Sequence, residues 1–303
     1  MRQETAGAEA KSITSQVMDA KKRAGYHPAM SATAQTFGPL LREWRQRRRV
    51  SQLDLALEGN ISARHLSFLE TGRARPSRDM VLHLAEHLAV PLRERNILLT
   101  AAGFAPAFGE RRLDDPALAE ARAAVELVIQ RHAPYPALAV DRHWTVVAAN
   151  DALAPLLAGA DTALLRPPVN AMRLALHPAG IAPRIVNYAE WRGHLLDRLR
   201  QQVEATADPM LIALRKELQA YPAPSPQRPA APRREYASMV VPLELATEAG
   251  VLAFFSTLTL FGTPVDVTLS EIALECFYPA DAKTAEILRK TSEPVQSSGT
   301  VPV

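Results

Sequence analysis

A single cysteine, Cys276, stands among 303 residues. No internal disulfide can form, and the usage fits a reducing compartment such as the cytoplasm. A paired-thiolate metal site is excluded for the same reason. No run of about twenty uninterrupted apolar residues occurs, so no membrane-spanning helix is expected, and the N-terminus lacks the apolar core of a signal peptide. The chain also lacks a G-x-x-x-x-G-K-[ST] phosphate loop and a G-x-S-x-G nucleophile elbow. Catalysis is therefore not expected. A lone thiol in an apolar, strand-like run is inert more often than nucleophilic. Net charge is only +3, although the pI is about 9.1, so overall charge is a weak nucleic-acid signal.

What is present is a globular composition, 48% hydrophobic, and enough chain for two ordinary domains. Residues 37–105 hold five short amphipathic segments. Ser51 is placed to N-cap one helix, with Asp54 three residues on as its acidic partner. Leu53, Leu55, Ala56 and Leu57 supply apolar positions. Gly59-Asn60-Ile61 makes a tight turn. Ser62 caps a second helix that carries Leu66 and Leu69 inward, and Gly72 ends it. Two short helices joined by a Gly-containing turn make a helix-turn-helix, whose second helix enters the DNA major groove.

Charge and residue type agree with DNA. Arg42, Arg45, Arg47, Arg48 and Arg49 form a cluster suited to phosphates. Gln52 opens a helix where free backbone N–H groups and a side-chain amide can meet a phosphate or a base edge. Ser62, Ala63, Arg64 and His65 open the recognition helix. Arg pairs bidentately with guanine, and Ala suits the thymine methyl. Arg73 and Arg75 follow in a loop within reach of the backbone or minor groove. Ser77 and Pro91 open two further helices, the second closed by Gly103. His83-Leu84-Ala85-Glu86-His87 matches the H-x-x-E-H metal signature, but it lies in a helix of this bundle and has no third ligand, so a solvated face is the better reading.

These residues resemble the Xre/Cro type of helix-turn-helix regulator: Arg42-x-x-Arg45, Ser51-Gln52, Ala56, Ile61-Ser62, Phe68-x-Glu70-x-Gly72 and Pro76-Ser77. The longer string RHLSFLETGRARPSRDMVLHLAEHLAVPLRERNILLTAAGFAP is similar to the subgroup whose second domain is MmyB-like, and the similarity runs to about residue 289. The resemblance implies a PAS-like second domain and a small apolar ligand, since a member of the subgroup accommodates a long-chain fatty acid. The base-reading positions vary within the family, so no operator follows.

The expected organisation is multidomain. An N-terminal tail (1–36) is polar, basic in places, and read as disordered. An all-α five-helix helix-turn-helix domain (37–105) is followed by a connecting segment and helix (106–133). That helix, from Pro116 to His132, either carries dimer contacts or packs on the second domain. Next comes an α+β PAS-like domain (134–291), and then a disordered tail (292–303). In the second domain, 136–140 and 144–150 read as a hairpin. Asn150-Asp151 caps a short helix through Leu157, and helices follow at 188–207 and 208–220. The Pro-rich stretch 221–234 reads as an exposed loop. Strands at 237–245, 250–262 and 269–279 and a closing helix at 281–290 complete a five-stranded antiparallel sheet with helices on one face. Such a half-covered sheet offers an apolar pocket.

Candidates for that pocket are Trp144, Val146, Phe254, Phe255, Leu258, Leu260 and Phe261, of which alternation sends about half inward. Polar candidates are Asn170, Arg173, His177, Arg184 and Asn187, with Trp191. Arg173 and His177 are placed to hold a carboxylate. Alternatively, Arg173 pairs with Asp266 or Glu271, and His177-Pro178 only fixes a turn. The segment 261–266 reads as a rigid turn. No cofactor is expected beyond a bound fatty acid or similar amphiphile. The expected partners are a double-stranded DNA operator, bound as a homodimer because one recognition helix reads too few base pairs, and a small apolar ligand. The alternative is a regulator whose second domain serves only dimerisation or protein docking.

Overall fold

In the computed structural model the described residues are 36–224, 241–260 and 266–292. The tails, most of the Pro-rich stretch and residues 261–265, where the sequence predicts a rigid turn and a pocket residue at Phe261, lie outside them.

Five helices come first: α1 (Phe37–Arg47), α2 (Gln52–Glu58), α3 (Ala63–Glu70), α4 (Arg78–His87) and α5 (Leu92–Ala101). Their starts follow from hydroxyl caps. Ser51 accepts from Asp54 N in a full capping box, Ser62 from His65 N and Ser77 from Met80 N, each satisfying an otherwise orphaned donor. Asn60 adopts a left-handed φ of 50° between α2 and α3, a conformation Asn tolerates. One apolar core joins all five helices, with Leu41, Trp44, Leu55, Leu66, Leu69, Leu84 and Leu99 at its centre. Leu53 and Leu57, two of the four apolar positions of α2, are exposed. A helix as short as α2 buries only one stripe, and Leu55 and Ala56 occupy it.

A 3-10 turn (Pro116–Leu118) leads into α6 (Ala119–Arg131), which lies against the sheet. The strands are β1 (Ala137–Val140), β2 (Val146–Ala149), β3 (Leu243–Thr247), β4 (Gly250–Leu260) and β5 (Ala273–Pro279), all antiparallel in the order β2-β1-β5-β4-β3. On one face lie α7 (Ala171–Leu176), α8 (Tyr188–Thr206) and α9 (Pro209–Ala220), with a 3-10 helix (Asp151–Leu157), around the larger core. On the other face Val125 and Ile129 of α6 pack against Ala137, Val147, Leu274 and Cys276.

Three local expectations change. Residues 267–270 form a short helix, α10, capped by Asp266, so the last strand starts at Ala273; α11 (Ala282–Ser292) follows it. Trp144 sits in a turn rather than a strand, with φ 67°. Asn150 stands at the N-cap position of the 3-10 helix Asp151–Leu157, as expected, but its side chain makes no capping bond. It is buried, accepts from Ala137 N (3.0 Å) and donates to the carbonyls of Ile129 (3.1 Å) and Tyr135 (2.8 Å). It thereby ties α6 to β1, where unpaired backbone groups would otherwise cost free energy.

Candidate DNA interface and ligand pocket

The position of α3 is set by α1. A Cβ on Gly38 would lie 2.6 Å from the carbonyl oxygens of Leu69 and Glu70, so only glycine permits this approach. Arg45 locks the two helices together. Its Nε and Nη2 donate to the two Glu70 carboxylate oxygens at 2.6 and 2.9 Å, and Nη1 donates to the Val50 carbonyl at 3.0 Å. Gln52 Nε2 adds a bond to Glu70 at 2.7 Å. The Glu70 hydrogen bond, partly opposed by burial and helped by the Glu70 charge, raises the Arg45 pKa above its ordinary value.

The phosphate role expected of Arg45 is corrected: the residue is buried and its fork is spent on Glu70. The Gln52 amide nitrogen is likewise turned inward. Arg48 donates to the Leu88 and Ala89 carbonyls, closing the end of α4. Arg47 bonds Glu43 and the Thr206 carbonyl. Arg42 and Arg49 remain exposed, as do Ser51, Ser62, Ala63, Arg64, Arg73 and Arg75, with His65 half-buried. Arg64 and Arg73 both lie over the Phe68 ring, at 5.4 and 5.9 Å. That contact draws the two cations together at the surface of the recognition helix. His83 bonds the Gly59 carbonyl and packs edge-on against His87.

In the sheet domain a cavity of about 80 Å³ lies between the sheet and α7–α8. Leu138 and Val146 of the sheet, Met172, Leu174 and Leu195 of the helices, and the Trp144 and Trp191 rings line it. Among the described residues the one charged lining group is Glu275. Arg198 Nη1 donates to it at 2.9 Å and Ser256 Oγ at 3.0 Å, and Arg198 lies 4.9 Å over the Trp144 ring. Trp191 Nε1 is buried without a hydrogen-bond partner among the described residues, and a bare buried donor costs roughly 1–3 kcal/mol. His194, beside Trp191, is held below the ordinary histidine pKa by burial and then by Arg198.

Trp144 lines the cavity, and Arg142, two residues before it, lies at the junction with the helical domain. Gln202 accepts from Trp144 Nε1 (2.8 Å) and donates to the Arg142 carbonyl (3.0 Å). His143 bonds Asp208 at 2.8 Å. Arg142 lies 3.6 Å from Asp208 and 3.8 Å from Glu271. Glu271 takes both the Nε and Nη2 of Arg93 on α5. Burial would raise Asp208, but the bonds from His143 and the Met210 amide and the nearby positive charges prevail and hold it at about 2. Glu94 on α5 is pushed up by burial despite Arg47, Arg142 and Arg93. Non-Gly residues at positive φ are uncommon, and bulky ones are strained, so Trp144 concentrates strain between cavity and junction.

Of the expected ligand residues, Trp144, Val146 and Trp191 line the cavity. Arg173 is corrected: it pairs with exposed Glu217 at 2.8 Å, while Asp266 takes Arg111 and Glu271 takes Arg93. His177 Nδ1 accepts from Ala179 N and its ring packs on Tyr221, which is the turn-fixing alternative. Asn170 caps α7 and donates to the His143 carbonyl. Asn187 bridges Pro242 and Glu244 backbone groups. Arg184 donates to the carbonyls of Leu156, Ala158 and Ala246. Phe254 is buried but stands behind the wall, edge-on to Phe277, whose ring does line the cavity. Phe255 stacks on Tyr278 across β4 and β5, and Leu258 and Leu260 are exposed. Sequence reasoning misses Glu275 and Arg198. The available signal is a lone carboxylate in the apolar run 272–278, which needs a buried partner.

A family profile described as the MmyB-like transcription regulator ligand binding domain matches residues 121–290, and a helix-turn-helix profile matches residues 41–95. No curated protein matches the chain. No helix among the described residues is long and apolar enough to cross a membrane. With one profile spanning more than half of its length, and the other falling on the helices that present Arg64 and Arg73, the chain belongs to the MmyB-like transcription regulators, DNA-binding proteins with a C-terminal ligand-binding domain.

Proposed function

We propose that this chain is a one-component cytoplasmic regulator that binds its operator as a symmetric dimer and releases or tightens it when a small amphiphile enters the second domain. The sheet order β2-β1-β5-β4-β3 supports the PAS-like reading of that domain. The observation that carries the sensing is the apolar cavity itself, with Trp191 in its wall; Trp191 Nε1 is buried without a partner among the described residues. A ligand whose entry shifts the Trp191 ring can bring an oxygen to Nε1 and supply the missing hydrogen bond. Glu275, already neutralised by Arg198, favours a neutral polar end such as an alcohol, an amide or a protonated acid over a free carboxylate set against it. The void is smaller than the several hundred Å³ of drug-sized sites, so a long chain enters only by displacing side chains such as Trp144.

That displacement is the proposed signal. Moving Trp144 disturbs Gln202 and Arg142, and through Glu271 it reaches Arg93 of the DNA-binding head. A ligand shifts the heads only as far as it favours one arrangement. The test is mass spectrometry of organic extracts from the purified full chain and from Ala175→Phe, which fills the cavity wall. An amphiphile in wild type and not in the variant supports sensing. The same amphiphile in both places the ligand elsewhere, and extracts empty from both, together with no binding of added decanol or decanoic acid, favour a second domain that serves only dimerisation or docking.

A further inference from the structure

Helix α6 turns Val125 and Ile129 onto the sheet and leaves its outer face to solvent. That face carries Ala123, Ala124, Leu127 and Val128, with Leu127 57% and Val128 50% exposed. These positions fall at i, i+1, i+4 and i+5, one stripe along the helix. Exposed Glu120 precedes the stripe by three residues and exposed Arg131 follows it by three. The pattern is symmetric about the point between Val125 and Glu126: 123 mirrors 128, 124 mirrors 127, and 120 mirrors 131.

A helix with such a pattern is complementary to its own antiparallel copy. A two-fold axis through the midpoint sets each alanine against the partner's Leu127 or Val128, small against large, as close helix packing prefers. The same axis sets Glu120 against the partner's Arg131 at both ends. Parallel pairing would instead place Glu120 beside its own copy and lose this match. A two-fold contact is self-complementary by construction.

We propose that the outer face of α6 is the surface through which a second copy of this chain docks, antiparallel and isologous. The proposal rests on the reading that the regulator acts as a pair. Four apolar residues a side bury less than the roughly 800 Å² per partner of a standard stable interface. The contact is therefore weak in free solution and strengthens when two heads share one duplex and the second encounter becomes intramolecular.

The experiment is sedimentation equilibrium of the full chain, alone and on duplex DNA selected for binding, with Glu120→Arg, Arg131→Glu, the double variant, and an equimolar mixture of the two single variants. Each single variant turns two attractive pairs into repulsive ones, so self-association weakens by about tenfold or more. The double variant restores wild-type association. The mixture also restores it, because one chain then carries arginine at both positions and the other carries glutamate at both. Leu127→Asp abolishes association while leaving the thermal melt of the exposed-site variant near wild type. Dimers that persist unchanged in all variants overturn the α6 surface and keep the dimer. A mixture that stays monomeric overturns the antiparallel pairing. A wild type that is monomeric both free and on DNA overturns the paired reading itself.

Discussion

Replacing Arg45 with Ala separates two roles that an arginine next to DNA can play. The side chain holds Glu70 through two bonds, at 2.6 and 2.9 Å, and the Val50 carbonyl through a third. The Glu70 side chain is only 1% exposed. Removing the cation leaves a buried carboxylate with Gln52 as its remaining side-chain donor among the described residues. Breaking one side of a buried pair costs roughly 3–5 kcal/mol, a large share of the stability of a small domain. Urea unfolding followed by Trp44 fluorescence should therefore show the helical domain losing most of its stability. Arg45→Met with Glu70→Leu should recover much of the loss, because no charge is then left unpaired. The folded fraction of Arg45→Ala should bind DNA with an unchanged salt slope. Stability within about 0.5 kcal/mol of wild type, the range of ordinary surface substitutions, together with a slope reduced by about one, would refute the structural role and return Arg45 to a phosphate.

Other outcomes follow from the same geometry. Arg64→Ala should weaken selected DNA by roughly 1–3 kcal/mol while sparing random DNA, and equal losses on both in a binding titration would make Arg64 a backbone contact. Arg42→Ala should weaken both kinds of DNA alike and flatten the salt dependence; a loss confined to selected DNA would reject that role. Gly38→Ala should destabilise the helical domain, since its Cβ would meet two carbonyl oxygens at 2.6 Å; a melting temperature unchanged from wild type would mean that α1 and α3 part at no cost. Asp208, held at about 2 against an ordinary value near 3.9, contributes stability that is complete above about pH 4 and lost as pH falls towards 2. Asp208→Asn keeps the helix cap and removes the charge, so the stability gap between wild type and variant should close across that interval. A gap constant with pH would show that the charge does not matter.

The helical domain is largely legible in the sequence because its signals are local. Caps at Ser51, Ser62 and Ser77, the turn at Gly59-Asn60, and leucines at helical spacing each act within a few residues. What a helix surface does with its arginines is not legible. Arg42 and Arg45 look alike in sequence, but Arg45 meets Glu70 only once α1 crosses α3. The polar anchor of the pocket fails for the same reason. Arg173 and His177 flank an apolar segment, yet α7 turns Met172 and Leu174 inward and sends Arg173 out to Glu217. Glu275 lies inside because β5 is central in the sheet, a position fixed by pairings far apart in the chain. The extra helix at 267–270 is hidden because Val267-Thr268-Leu269-Ser270 alternates apolar and polar residues, a pattern that reads as strand.

If the proposed signal is right, the cavity and the recognition helix are coupled through Trp144 and the Arg142–Glu271–Arg93 junction. The direct measurement is the affinity for selected DNA, by fluorescence anisotropy, of wild type, Ala175→Phe and Glu271→Gln, each with and without saturating decanol. Decanol should shift the wild-type affinity several-fold, have no effect on Ala175→Phe because the cavity is filled, and have a blunted effect on Glu271→Gln although decanol still binds. Wild-type affinity that stays the same while calorimetry records decanol in the cavity would contradict the coupling.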